Sequence, residues 1–542
     1  MLSLDTSQLA AVAATTKAVS WLFSVRDAYL TQYYWSTKSV SFGGQAYTFK
    51  IISFDGITLA RPKTEMGVMA PSTLNFSISN KDAVISPDDL EDGTVTITLV
   101  INDASIASWK FLIKKASAAY QSIEIQCEDF FQQYIEGNYP VIQLALDDSA
   151  IEWIAGVSWD TGIDWYAGGG ATSTTDGLKV RDVFPSASGD IADDCCIPLP
   201  FGTCYIPLRS TYITDDRFYV IGPMTQNGSV LTYTISKVRT PRAYSTKVEY
   251  ESGSYDFNQH TKTSTSGQKF RTFQAMVAAG PAAAFYPLGD NYYDLPTCFS
   301  RSDMATMTNP ADIIKWVLED MGIASADINT ASFTTAGTTF DGWNHVFNGA
   351  FWHVISREQA LTSLLAQCHA TLVCTDQVYM KVLTVTSQKT LTAGDIMRTG
   401  ETGVGTYKHS KLERTLADSG NVSYSPASDS QDLGVNALVQ AKSSSRNIDS
   451  QVFEMMFVSD STIAVNLAKL YFQRKLLKKA TETFTGKATL IALQPSDFIT
   501  LPSGYNYGGA HDVIIDSMKI NKDVSIDFTC TSFSEALEDY PT

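Results

Sequence analysis

The clearest signal along the chain is a strict alternation of apolar and polar positions. Leu74, Phe76 and Ile78 alternate with Asn75, Ser77 and Ser79. Val95, Ile97 and Leu99 alternate with Thr94, Thr96 and Thr98, and Ile123 and Ile125 repeat the pattern before Cys127. A period of two puts every second side chain on one face, so these stretches predict strands with one buried face. Ser39 to Phe49 reads as a hairpin turning at Gly43-Gly44, where glycine supplies the left-handed backbone that tight hairpins need. Thr6 to Val25 is Ala-rich and reads as an amphipathic helix. Residues 1–140 therefore predict a tube-like β-barrel or sandwich carrying a flanking helix.

The final stretch, residues 401–542, repeats this grammar. Ser461 or Thr462 can cap a helix running to about Lys479, with Ile463, Leu467, Leu470 and Tyr471 facing inward. Strands are predicted at Lys487–Leu493, Phe498–Leu501, Val513–Met518 and Val524–Thr529. Two inner regions lie between. In residues 296–400, Asn309 precedes Pro310 as an N-cap, Ile313, Ile314, Val317 and Leu318 form one apolar stripe, and Gly322 stops the helix. Ser356 with Gln359 forms a capping box, Leu361, Leu364, Leu365 and Cys368 mark the buried side of that helix, and a strand starts at Val378.

Residues 141–295 are rich in strands and loops. Trp153, Trp159 and Trp165 recur every six residues, each followed three later by Gly156, Gly162 and Gly168. They read as filler in a small β-meander or as an exposed aromatic surface for a sugar or a partner. Prolines at alternating places in 197–209 imply edge strands. Phe218–Gly222 and Leu231–Val238 read as a strand pair across Gln226-Asn227-Gly228, and 250–275 as a long polar loop. The predicted fold class is α+β, mainly β: two tube-like β-barrel domains (1–140 and 401–542), each with a flanking helix, around two smaller inner domains (141–295 and 296–400).

The 542 residues exceed one ordinary core, and 44% hydrophobic against 18% charged residues is a globular balance. The net charge of −17 argues against stable nucleic-acid binding, which needs basic surface. The dense basic run, Arg474, Lys475, Lys478 and Lys479, falls where the last predicted helix ends and cations complement the helix dipole. No stretch has the roughly 20 apolar residues of a membrane span. The opening residues lack a basic cluster before an apolar core, which predicts folding in a cytosol.

Candidate chemistry is thin. Cys195, Cys196 and Cys204 cluster, but an iron–sulfur site needs four thiolates, so Cys127 or Cys298 would have to join them. Cys368, His369 and Cys374 make half of a zinc site at best and read as core thiols. The pairs Asp88-Asp89, Asp193-Asp194 and Asp215-Asp216 point to opposite faces if extended, which is wrong for a glycosidase, and read as solvated turns. There is no nucleophile elbow, phosphate loop or dinucleotide fingerprint. The expectation is a non-enzymatic protein without catalytic, cofactor or metal residues.

Three stretches resemble the baseplate hub proteins of long-tailed, siphophage-like bacteriophages and gene-transfer agents. The first runs from Asn309-Pro-Ala-Asp-Ile-Ile-Lys-Trp through Asp327 and Phe333 to Arg357-Glu-Gln-Ala-Leu and Thr371-Leu-Val-Cys. The second runs from Val452-Phe-Glu-Met-Met through the 462–479 helix, then Leu493-Gln-Pro-Ser-Asp-Phe and Ile514-Ile-Asp-Ser-Met-Lys; the family usually has Pro-Gly-Asp where this chain has Pro495-Ser496-Asp497. The third is Thr15 to Asp82. The resemblance implies a homotrimer whose paired barrel domains mimic a six-fold ring. That ring closes the tail tube and meets the distal tail protein ring, the tape measure protein and a central tail fibre or spike. DNA passes through the lumen, the location is the virion tail tip, and contact with the host envelope is transient. Two other readings compete: a tail-associated protein that binds or degrades polysaccharide, and a hexameric distal tail protein.

Overall fold

The computed structural model describes residues 4–61, 67–68, 72–145, 172–176, 195–208, 210–213, 216–223, 225–226, 229–239, 249–251, 258–263, 269–274, 295–399, 404–412, 419–424, 435–440, 448–503, 510–534 and 536–540. The fold is α+β and mainly β. Helix α1 (Thr6–Ala13) opens on a capping box in which the Asp5 carboxylate accepts from the Gln8 backbone N–H. It is shorter than the composition predicts. Residues 19–26 instead form strand β1, because Trp21, Leu22, Phe23 and Val25 load both faces and only a strand in mid-sheet can bury them all.

The first sheet has nine strands in the order β3-β4-β2-β1-β9-β10-β11-β8-β5. These are β1 (Val19–Arg26), β2 (Gln32–Ser36), β3 (Val40–Phe42), β4 (Gln45–Phe49), β5 (Ile51–Phe54), β8 (Thr73–Ser79), β9 (Thr94–Ile101), β10 (Ala104–Ala119) and β11 (Ser122–Asp129). β3 and β4 turn at Gly43 (φ +58°) and Gly44 (φ +79°), as the sequence predicts. Two short strands leave this sheet, β6 (Ile57–Ala60) and β7 (Gly67–Val68), and α2 (Pro87–Leu90) precedes β9.

The second helical group contains α3 (Gln132–Ile135), α4 (Pro310–Asp320), α5 (Thr330–Gly342) and α6 (Arg357–Gln367). Asn309 Oδ1 accepts from Ala311 N, and Ser356 and Gln359 exchange both capping-box bonds, so both sequence-predicted caps form. Helix α5 is an element the sequence pattern hides. Its Thr334, Thr335, Thr338 and Thr339 hydroxyls each donate to the carbonyl four residues back, at 3.0–3.1 Å, which satisfies polar side chains inside the helix. Strands β12 (Ala370–Cys374) and β13 (Val378–Val382) form a sheet with β7, which pairs parallel to β12.

The second large sheet runs β14-β20-β21-β22-β19-β15, with β14 (Lys389–Thr390), β15 (Lys408–Lys411), β19 (Lys478–Gly486), β20 (Phe498–Leu501), β21 (His511–Ile520) and β22 (Ile526–Phe533). Beside it, β16 (Ser419–Tyr424), β17 (Val435–Gln440) and β18 (Ile448–Met455) form a three-stranded sheet against α7 (Ser461–Leu476). Asp460, not Ser461 or Thr462, caps α7. The helix stops three residues before Lys479, so Lys478 and Lys479 lie on β19, while Arg474 is buried with its guanidinium 5.3 Å from the Phe498 ring centre. Residues 487–493, expected as a strand, form a 3₁₀ turn at Ala488–Leu490 that buries Leu490, Ile491 and Leu493.

In the inserted region the expected pairing of 218–222 with 231–238 does not occur. Asp216–Pro223 pairs with Ser210–Ile213 and Lys269–Gln274, and Tyr233–Arg239 pairs with Leu295–Arg301. Among the described residues, the short hairpin Thr225–Gln226 with Ser229–Val230 lies across that turn. The predicted loop at 250–275 contains strands Asn258–Thr263 and Lys269–Gln274. Polar strands of this kind lack the apolar alternation that betrays a half-buried sheet.

Two hydrophobic cores organise these elements. One contains the inner faces of both large sheets together, from Trp21, Phe23 and Trp109 to Phe484, Ile515 and Phe528. The other joins α4, α5, α6 and α7 around Phe201, Phe347, Phe351 and Phe457. Among the described residues, no helix is long and apolar enough to cross a membrane.

Candidate functional site

The strongest feature of the structure is that one strand motif occurs twice. The segment β8–α2–β9–β10–β11 is arranged in space as β9-β10-β11-β8. The segment β19–3₁₀ turn–β20–β21–β22 is arranged as β20-β21-β22-β19. Each copy has a β-bulge on its third strand at the same place. Ile113 faces Cys127 before the register shifts to Lys115–Gln126, and Ile515 faces Cys530 before it shifts to Ser517–Thr529. On the neighbouring strand Phe76 lies opposite Ile125, and Phe484 opposite Phe528.

The turns leading into the second strand of each copy agree bond for bond. Gly93 N donates to Leu90 O and Asp497 N to Gln494 O, both at 3.1 Å. Asp92 N and Ser496 N donate to the bulge carbonyls of Ile113 (2.9 Å) and Ile515 (2.8 Å). Those isoleucines donate back to Gly93 O (2.8 Å) and Asp497 O (2.9 Å). Asp92 and Ser496 both hold left-handed backbone, at φ +61° and +68°. Ser496, the departure from Pro-Gly-Asp, thus occupies a conformation that glycine adopts at no steric cost. Beyond the motif, Ile51 pairs with Ile78 in the first copy and Ile396 bridges Gly486 in the second.

The copies are stitched together by β6. It leaves the first sheet and pairs antiparallel with β21, matching Ile57 to Ile520, Thr58 to Lys519, Leu59 to Met518 and Ala60 to Ser517. Arg61 extends the ladder, its N–H donating to Asp516 O at 2.7 Å while its Nε sits 2.7 Å from the Asp516 carboxylate. Ile57, Leu59, Met518 and Ile520 are all buried. Gly56 makes the crossing with φ +92°, and a Cβ there would lie 2.3 Å from Ile520 O. Trp21 Nε1 donates to Lys522 O at 3.0 Å, a second bond across the seam. Lys381 on β13 reaches Asp497 at 2.6 Å, tying the helical core to the turn of the second copy.

The second copy also buries a polar cluster. Glu482, fully buried on β19, occupies the position that Leu74 holds in the first copy, each lying opposite the bulge cysteine. It accepts from Ser532 Oγ at 2.9 Å and Tyr407 Oη, with His409 Nδ1 at 3.1 Å and His511 Nε2 at 3.8 Å. Burial opposes its charge, but the nearby His511 ring and donation from Tyr407, Ser532 and His409 override this and hold its pKa at about 2. A general base at neutral pH needs a value near the working pH, so this carboxylate is an anchoring anion.

Four of the cysteines weighed for metal or cluster ligation, Cys127, Cys204, Cys368 and Cys374, are buried. Cys368 and Cys374 are buried, and burial pushes both thiols well up. His369 is buried beside them on left-handed backbone (φ +55°), its pKa lowered by desolvation. Cys204 is buried, and Cys195 lies on a strand opposite His353. Among the described residues, no group of three His, Cys, Asp or Glu side chains could hold a metal ion. Asp88 and Asp89 lie in the first turn of α2. Trp153, Trp159, Trp165, Asp193, Asp194 and Asp215 fall outside the described residues.

No family model matches the chain, and no curated protein sequence matches it. Among solved structures it is similar to a chain of the virion of a native gene transfer agent particle (10% identity, TM-score 0.43, covering 65% of this chain and 89% of that one). It is similar to the 43 kDa tail protein of prophage MuSo2 from Shewanella oneidensis (10% identity, TM-score 0.40, 95% and 100%). A third is a tail protein from Neisseria meningitidis MC58 (7% identity, TM-score 0.39, 96% and 99%).

Proposed function

We propose that this chain is a structural hub of a phage tail tip, and that three copies form a ring whose six related strand motifs line a common collar. The observation that carries this reading is the internal duplication. Two copies of one β-motif, with the same bulge and the same turn into the second strand, share a single core, so each chain presents two equivalent units to a ring. A trimer of such chains is six-fold in its inner layer, which lets it match a six-fold tube while remaining three-fold outside.

The chemistry of the chain supports a structural role. The polar cluster at Glu482 is arranged to hold a permanent anion within a sheet. A net charge of −17 suits a passage that DNA crosses without adhering. In this reading the ring meets the distal tail ring, the tape measure protein and the central fibre, and location at the tail tip follows. The test is cryo-electron microscopy of the intact particle: three copies in one ring at the tube end is the expected result. Six copies would favour a distal tail ring, and turnover of host polysaccharide by the purified chain would favour a tail-associated enzyme.

A further inference from the structure

We propose that the free edge of β10 at Lys114–Ala119 is the docking edge for a second copy of this chain, which adds a strand there as β6 adds to β21. The inference rests on the ring reading above and names the contact that closes the ring. Its basis is the equivalence of the two motifs. β20 pairs with β21 as far as Ile514, and β6 continues on that side from Ser517 to Ile520. β9 likewise pairs with β10 as far as Leu112, the counterpart of Ile514. Beyond it, no described strand takes the place that β6 fills in the other copy.

The edge is built to accept one. The bond from Arg61 N to Asp516 O fixes the alternation on β21, so that Met518 and Ile520 turn their backbone groups toward β6. Their counterparts are Ala116 and Ala118. The Ala116 N–H does face outward, where it donates to Glu91 Oε1 at 3.1 Å in place of a strand carbonyl. Met518 and Ile520 are each 1% exposed under β6; of their counterparts Ala116 is 7% exposed, while Ala118 is exposed, as are Ala119 and the adjacent Tyr120 (96%). Ala116, Ser117, Ala118 and Ala119 are small and let another backbone approach closely. Lys114 stands where Asp516 holds Arg61, and lies 3.7 Å from the Glu128 carboxylate and 3.8 Å from that of Glu136. Lys114 and Lys115 meanwhile guard the edge against indiscriminate pairing.

The same equivalence indicates the donor. Register along β19 makes Tyr407 the counterpart of Phe54, after which the first copy's chain crosses to its neighbour as β6. The stretch that follows Tyr407, Lys408–Lys411, does not cross within the chain but pairs with β19 over its whole length, and its residues are exposed at the end of that sheet. A contact from the second motif of one chain to the first motif of the next is heterologous, and such contacts close rings.

The test uses the full-length protein in analytical ultracentrifugation with hydrogen exchange. Ala118→Pro removes one outward N–H, a change edge strands tolerate. The unmodified protein is expected to be trimeric, with the Ala116 and Ala118 amides gaining protection as concentration rises. Ala118→Pro should weaken association at least 100-fold while the melting temperature holds. A trimer that persists in Ala118→Pro with those amides unprotected would overturn the docking edge and leave the ring standing. A chain that stays monomeric with freely exchanging edge amides would also overturn it, and the ring would then be decided by copy number in the particle. If Ala118→Pro does not fold, the concentration dependence of amide protection in the unmodified chain decides alone.

Discussion

Replacing Gly56 by alanine attacks the seam at its tightest point. The residue sits at φ +92°, where an L side chain costs on the order of 1–3 kcal/mol in strain. The new Cβ would also lie 2.3 Å from Ile520 O, and that oxygen belongs to a strand clamped on both sides, so β6 must move. Displacing it weakens a ladder whose hydrogen bonds are worth about 1 kcal/mol each. It also loosens Ile57, which is fully buried. Together these give an expected cost of roughly 3–5 kcal/mol. Gly44→Ala is the control, because Gly44 also has positive φ (+79°) but nothing within 4 Å, so it pays strain alone. Hydrogen exchange at Met518 and Ile520 reads the seam directly. Protection there should fall by roughly 100-fold or more in Gly56→Ala and stay unchanged in Gly44→Ala. Equal effects from both variants, or none from Gly56→Ala, would refute the claim that β6 is held by close backbone contact.

Phe528→Ala removes a 1% exposed ring from the shared core and should cost about 3–5 kcal/mol; because both sheets share that core, amide protection should drop in β1 and β9 as well as in β22. His345 is buried without hydrogen-bond partners on its ring, and desolvation lowers its pKa to about 3. The unfolded chain then takes up the proton first, so stability present above pH 6.5 declines as pH falls toward 3; urea titrations should show this loss, and His345→Phe should reduce the part between pH 6.5 and 5, leaving the share of His369, whose pKa is lowered too. Glu482 adds a second, more acidic window. Its stabilisation is complete above its ordinary value of 4.5 and is lost as pH falls toward 2, a step absent in Glu482→Gln. Asn309→Ala should lower stability by about 1–2 kcal/mol in thermal melts, since that side chain caps α4 and also donates to Gly337 O and Asp341.

Much of the architecture was legible because burial writes itself into alternation. Leu74, Phe76, Ile78, Val95, Ile97 and Leu99 are all nearly inaccessible, as their period of two implies. Caps at Asn309 and Ser356 were legible because a polar side chain before an apolar stripe has one local job. Strand β1 was misread because a strand buried on both faces loses its alternation, and α5 was missed because its threonines are neutralised by its own carbonyls. The crossing of β6 could not be read at all. Four residues reveal that they form a strand, but not which sheet receives them. Glu482 gave no signal either, since its histidines and tyrosine come from β21 and the approach to β15. The duplication itself lay below sequence similarity. Leu74 and Glu482 occupy the same place with opposite polarity, and only register and hydrogen bonds expose the match.

The bond between the Trp21 indole and Lys522 spans 501 positions of sequence. At a synthesis rate of about 5–20 residues per second, the early half of the molecule waits roughly half a minute to nearly two minutes on the ribosome before its partner emerges. For that interval the indole and the four residues after Gly56 have nothing to rest against. Slowing translation near the end should lower the yield of native protein more sharply than slowing it near the start.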